Sequence, residues 1–260
     1  MHRECEVQLN MSACSQNCPM CRAPAAGSDE EQHKRCLRWA KKGKAWAMDS
    51  VGSNFHSGLG VSESKEMARL WFEKSAEQGY PKAQHNLGTM HAMGEGGPVS
   101  KEKARLWYEK AAEQGHLKAQ YNLGVMHSNG EGGLPVSKEK ARLWYEKSAE
   151  QGYLNAQFLL GHMHALGEGG PVSKEKARVW YEKSAEQGFA GAQYNLGFMH
   201  ALGEGGLPVS KEHAFFWFTR ADEQGVEQAA TSLEAVKSEC FSCGKTGKMK
   251  RCPQCKCAYY

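Results

Sequence analysis

The sequence predicts an all-α fold, a solenoid of stacked helix pairs, and three observations carry that expectation. The triplet Glu-Gln-Gly recurs at Glu77–Gly79, Glu113–Gly115, Glu150–Gly152, Glu186–Gly188 and Glu223–Gly225, in steps of 36, 37, 36 and 37 residues. Between the triplets, apolar residues fall at helical spacing. Glycine-containing breaks divide each period into two helices. At about 1.5–3 kcal/mol per large buried side chain, one helix pair gains too little to offset the ordering of its chain. Stacked neighbours cover each other's stripes, which gives the repetition a physical purpose.

The unit Ala83–Lys118 shows the elements in order. Ala83, Leu87, Met90 and His91 form the stripe of a short first helix that stops at Gly94. The turn Glu95–Ser100 follows, and Ser100 has the chemistry of an N-cap. In the second helix, Ala104, Trp107, Tyr108 and Ala111 form the stripe and Gly115 ends it. The alternation of 36 and 37 lies in the turn, where Gly-Gly-Pro-Val-Ser at 96–100 and 169–173 becomes Gly-Gly-Leu-Pro-Val-Ser at 132–137 and 205–210. One loop residue is inserted and the helices keep their phase.

Composition bounds the function. The chain has 260 residues, 40% hydrophobic and 24% charged, which suits an ordinary soluble protein. No run of about 18 apolar residues could span a bilayer, and the polar N-terminus lacks the apolar core of a signal peptide. A cytoplasmic location is expected, with the nucleus as the alternative. Five cysteines lie in the first 36 residues and five in the last 21, and the repeats hold none. That distribution points to a reducing compartment and to metal. Residues 1–46 carry 8 Lys/Arg against 5 Asp/Glu, residues 47–236 carry 19 against 23, and residues 237–260 carry 6 against 1.

The pattern Ala-x3-Leu-Gly followed by Lys-Ala-x2-Trp-Tyr-x-Lys-Ala-Ala-x-Gln-Gly resembles the Sel-one-like repeat family, a variant of the tetratricopeptide class. The resemblance implies five units at 47–82, 83–118, 119–155, 156–191 and 192–228, together spanning 47–228. A leading helix is expected within 28–46, capped by Ser28, and a capping helix within 229–239. Where the family has a first-helix Tyr, this chain has His91, His127, His164 and His200. Packed helices lie about 8–10 Å apart, too far for routine sharing of one metal between these rings, so core packing is expected of them. The charged residues of the second helices read as solvated faces with weak ion pairs, not as acid–base pairs. The glycine-rich turns lack the lysine and the preceding strand of a phosphate loop.

What varies between copies is more informative about function. One first-helix position reads His85, Tyr121, Phe158, Tyr194, and four residues on the chain reads Thr89, Val125, His162, Phe198. Both fall on one helix face, opposite the Ala-Leu stripe, and that face is expected to line the concave side of the solenoid. Tyr121, Phe158, His162, Tyr194 and Phe198 are the candidate partner-binding residues, with burial against the adjacent unit as the competing reading.

Both ends carry cysteine clusters. Cys240-x2-Cys243-x8-Cys252-x2-Cys255 has the spacing of a Zn²⁺ thiolate site, with Cys257 close by; disulfides or idle cysteines are the competing reading. Residues 240–260 resemble the first half of a MYND zinc finger, whose aromatic pair is normally followed by a further Cys, whereas here the sequence ends at Tyr260. That family binds two zinc ions in crossed fashion and typically takes short proline-containing peptides. In the segment 1–27, Cys-Pro-Met-Cys at 18–21 resembles the closing knuckle of a RING finger, with Cys18 and Cys21 as ligands and Cys5 and His2 as earlier candidates. A RING needs eight ligands, and the match implies ubiquitin-ligase activity only for a longer relative.

The sequence therefore predicts a non-enzymatic, monomeric interaction scaffold that holds a protein segment on its concave face and Zn²⁺ at its C-terminal finger. Two alternatives come from other classes: a fragment of a RING-type ubiquitin ligase whose repeats select substrate, and nucleic-acid binding through the basic C-terminal segment with Phe241, Tyr259 and Tyr260.

Overall fold

The structure, a computed structural model, describes residues 28–237. Among the described residues there are twelve α-helices and no strand: α1 (Asp29–Lys41), α2 (Ala45–Ser57), α3 (Lys65–Glu77), α4 (Pro81–Met93), α5 (Lys101–Glu113), α6 (Leu117–Asn129), α7 (Lys138–Glu150), α8 (Leu154–Leu166), α9 (Lys174–Glu186), α10 (Ala190–Leu202), α11 (Lys211–Asp222) and α12 (Glu227–Lys237). The chain forms two compact units, Met1–Val136 and Ser137–Tyr260. The described part of the first holds α1–α6, and that of the second holds α7–α12.

Local chemistry sets the helix limits. Ser64, Ser100, Ser137, Ser173 and Ser210 each accept a hydrogen bond through the side chain from the amide three residues on, capping every second helix. Ser28 does the same for the leading helix, accepting from the Glu31 amide at 3.3 Å. The first helices stop at Gly58, Gly94, Gly130, Gly167 and Gly203, all left-handed with φ between +71° and +75°.

The core forms at junctions between repeats. In the first unit, Ala68, Phe72 and Ala76 of α3 pack with Ala83, Leu87 and Met90 of α4. In the second, Ala177, Tyr181 and Ala185 of α9 pack with Ala192, Leu196 and Met199 of α10. Each cluster thus joins the second helix of one pair to the first helix of the next. The glycine of Leu-Gly brings the two helices of a pair together. A Cβ on Gly88 would lie 2.7 Å from the Tyr108 ring, and one on Gly161 would lie 2.8 Å from that of Tyr181.

Amide side chains tie the junctions together. Gln114 Nε2 donates to Gln84 Oε1, Gln187 to Gln157 and Gln224 to Gln193, each at 2.8 Å. Gln84, Gln157 and Gln193 in turn donate to the carbonyls of Ala76, Ala149 and Ala185, each at 3.2 Å. The recurring Gln of Glu-Gln-Gly and the Gln of Ala-Gln are therefore two rungs of one ladder, and its buried amides are satisfied.

The second-helix stripe differs from expectation in one residue. Ala104, Tyr108 and Ala111 are buried, whereas Trp107, Trp144 and Trp180 are half-buried with a lysine ammonium over each ring. At 100° per residue Trp107 falls at the margin of the arc defined by Ala104, Tyr108 and Ala111. Its ring reaches the α3–α4 cluster, so the tryptophan seals the edge of a junction and does not fill its centre. Cys36 on α1 is buried.

Candidate functional site: the first-helix face

The variable position of the first helices reads Asp49, His85 and Tyr121 in the first unit, and Phe158 and Tyr194 in the second. In the first unit this face is polar. Asp49 is 1% exposed, and its carboxylate accepts from Asn86 Nδ2 at 2.9 Å and pairs with Lys82 Nζ at 3.1 Å. Burial pushes its pKa up, against the opposing pull of Lys82 and Asn86. One repeat further on, the His85 ring stacks on His116 at 4.8 Å, and Asn122 Nδ2 lies 3.4 Å from His85 Nε2. Burial pushes His85 down to about 4, with help from His116 and Lys118. His116 is also pushed down to about 4, by burial and then by Lys118 and Lys82. Both rings are neutral at pH 7.

In the second unit the face is aromatic. Phe158 packs on Phe189 at 4.8 Å and on Tyr181 at 6.0 Å, with His162 6.5 Å away. Tyr194 lies 5.5 Å from Phe198 and 5.7 Å from Phe218. Phe158, His162 and Tyr194 are half-buried and Phe198 is 43% exposed, so these rings lean on neighbouring aromatics while keeping part of their surface in water. Tyr121, in the first unit, is also half-buried. The structure thus brings Phe158 near His162 and Tyr194 near Phe198, as their spacing of four predicts.

The four in-register histidines sit elsewhere. His91, His127 and His164 are buried and His200 is half-buried, all on the opposite arc of their helices. Arg69 Nη2 approaches His91 Nδ1 at 2.8 Å, and Arg142 approaches His164 in the same way at 2.8 Å. A guanidinium can only donate, so Nδ1 accepts and the rings are neutral. Among the described residues no group of three or more His, Cys, Asp or Glu could hold a metal ion. The candidate zinc ligands Cys240, Cys243, Cys252, Cys255, Cys257, Cys18, Cys21, Cys5 and His2 all lie outside the described residues. Sequence reasoning missed two features of this face. It did not single out Asp49, which holds the variable position in the divergent first repeat, or the pairing of Asn86 and Asn122 back to the preceding repeat.

The Sel1 repeat family matches residues 47–80, 81–116, 117–153, 154–189 and 190–226. The chain belongs to the Sel1 repeat family. A crystal structure of a Sel1 repeat protein from Oxalobacter formigenes is similar at 30% identity, over 80% of this chain and 82% of that one, with a TM-score of 0.73. A second similar structure is c5321, a protective antigen present in uropathogenic Escherichia coli strains displaying an SLR fold. It is 29% identical over 80% of this chain and 52% of that one, with a TM-score of 0.61. No curated protein matches the chain. Sel1 repeats mediate protein–protein interaction, and among the described residues no helix is long and apolar enough to cross a membrane.

Proposed function

We propose that this Sel1 repeat protein is a non-enzymatic scaffold whose first-helix face holds a segment of a partner protein. Tyr121, Phe158, His162, Tyr194 and Phe198 would make the contacts. The supporting observation is that this face changes chemistry from copy to copy while the junctions keep the same Gln ladder and the same Ala-Leu core. Aromatic rings that keep solvent-facing area, as Phe198 does, are the residue type enriched in interfaces. Replacing Phe158 and Tyr194 together by Ala and comparing partner capture with unfolding tests the proposal.

Zinc at Cys240, Cys243, Cys252 and Cys255 belongs to the same proposal as an appended module, on the strength of the paired Cys-x2-Cys spacing. A proline-containing peptide is the ligand class implied for that module by its resemblance to MYND fingers.

A further inference from the structure

The carboxylates of the repeats are unevenly placed. The first helices α4, α6, α8 and α10 contain no Asp or Glu, although residues 47–236 carry 23 acidic side chains against 19 basic ones. The second helices and the turns hold most of the acid, and part of it is paired there: Lys101 with Glu131 at 2.9 Å and Lys174 with Glu204 at 3.0 Å.

Among these four helices only those of the first unit carry lysine. Lys82 and Lys118 occupy equivalent positions on α4 and α6, where the second unit has Asn155 and Gly191. Both lysines are exposed, and both act electrostatically on His116. The cluster Lys82, His85, His116, Lys118 and Asn122 therefore spans two consecutive repeats. Its one carboxylate is Asp49, which is buried beneath Lys82 and spends its lone pairs on Lys82 and Asn86. Lys82 stays 55% exposed in that pair, and Lys118 is not among the residues that Asp49 contacts. The result is a local excess of cation on the first-unit face.

We propose that the first-unit face, centred on Lys82 and Lys118, binds the acidic part of the partner: an extended peptide in which Glu or Asp side chains alternate with apolar ones. The carboxylates would pair with the two ammonium groups and accept from Asn122, and the apolar side chains would rest on the half-buried rings of His85 and Tyr121. This rests on the scaffold reading and adds the chemistry of the occupant.

The test uses the full chain and two labelled peptides, one of alternating Glu and Leu and the same peptide with Gln for Glu. Anisotropy titrations are run on wild type, on Lys82→Gln with Lys118→Gln, and on Lys103→Gln with Lys140→Gln, a pair of exposed second-helix lysines. Both double variants remove the same net charge. The expected result is binding of the Glu peptide and about tenfold weaker binding of the Gln peptide. Lys82→Gln with Lys118→Gln should lose about tenfold, and Lys118→Gln alone, which keeps the Lys82–Asp49 pair, should lose binding with unchanged thermal unfolding, whereas the control pair should change binding less than about twofold. The proposal is overturned by no binding of the Glu peptide, by equal binding of the two peptides, or by equal loss in the two variants. It is also overturned if a single-stranded oligonucleotide binds through Lys82 and Lys118 more tightly than the Glu peptide. Failure of any of these kinds would leave the Phe158 and Tyr194 experiment untouched, so the chemistry of the partner and the existence of the binding face are judged separately.

Discussion

The guanidinium of Arg69 donates to Nδ1 of His91 at 2.8 Å, across the junction between the first and second repeats. Arg142 and His164 repeat the contact in the second unit at 2.8 Å. Between them, the pair Arg105 and His127 follows a different arrangement, in which Arg105 lies 3.8 Å from Glu109 on its own helix. The difference tracks the turns. A Cβ on Gly97 or on Gly170 would strike the guanidinium of Arg69 or Arg142, so the shorter turns hold that arginine close. In the longer turns the inserted Leu134 and Leu207 accompany a glycine that packs instead on the Arg105 or Arg178 Cβ.

These contacts make stability depend on pH. His91 and His164 are pushed down to about 4, chiefly by burial and then by the neighbouring arginine. Their unfolded value is about 6.5. The folded rings are neutral where the unfolded rings take up protons, so stability is full above about pH 6.5 and falls as the pH drops towards 4. Urea unfolding at pH 7 and pH 5 should give a lower midpoint at pH 5, and His91→Gln with His164→Gln should reduce that difference. Equal midpoints for the wild type would contradict the neutral-histidine geometry.

Gly161→Ala should destabilise, although Gly to Ala inside a helix ordinarily stabilises by about 1 kcal/mol. The new methyl would lie 2.8 Å from the Tyr181 ring and force the pair apart. A loss of about 1–3 kcal/mol in chemical unfolding is expected from such overpacking. A gain in stability would show that the close approach of α8 and α9 is not required.

The purified, reduced chain should contain tightly bound zinc, and Cys240→Ser with Cys252→Ser should remove it. Mainly helical circular dichroism should survive chelation, because the repeat cores are built from apolar contacts and amide bonds. Metal-free protein, or collapse of most helicity on chelation, would count against a separate zinc module.

Much of this architecture is legible in the sequence because each helix limit has a local cause. Ser100 caps through its own hydroxyl, and Gly94 stops its helix through a left-handed backbone, so neither needs long-range information. The stripe of Ala83, Leu87, Met90 and His91 is likewise set by a single helical period, and all four side chains are buried. Trp107 was misplaced because periodicity locates a residue within an arc but does not say which member of a Trp-Tyr pair sits at its centre. Gly88, with room for the Tyr108 ring and no more, decides in favour of the tyrosine. The partners of Asp49 were not legible, since Lys82 and Asn86 lie 33 and 37 residues away and meet it only when two repeats stack.

The central claim is that the variable face of the first helices binds a partner while the junctions hold the fold, and one paired comparison tests it most directly. Partners recovered with the intact protein are offered to Phe158→Ala with Tyr194→Ala and, separately, to Leu87→Ala, and thermal and urea unfolding are measured for each. Leu87 is fully buried, so its truncation should cost about 2–5 kcal/mol and lower the unfolding midpoint. The double variant should unfold later than Leu87→Ala and yet capture at least about tenfold less partner than the wild type, the loss expected when interface anchors are truncated. Normal capture by the double variant, or unfolding as early as Leu87→Ala, would show that Phe158 and Tyr194 are core packing and that the binding face lies elsewhere.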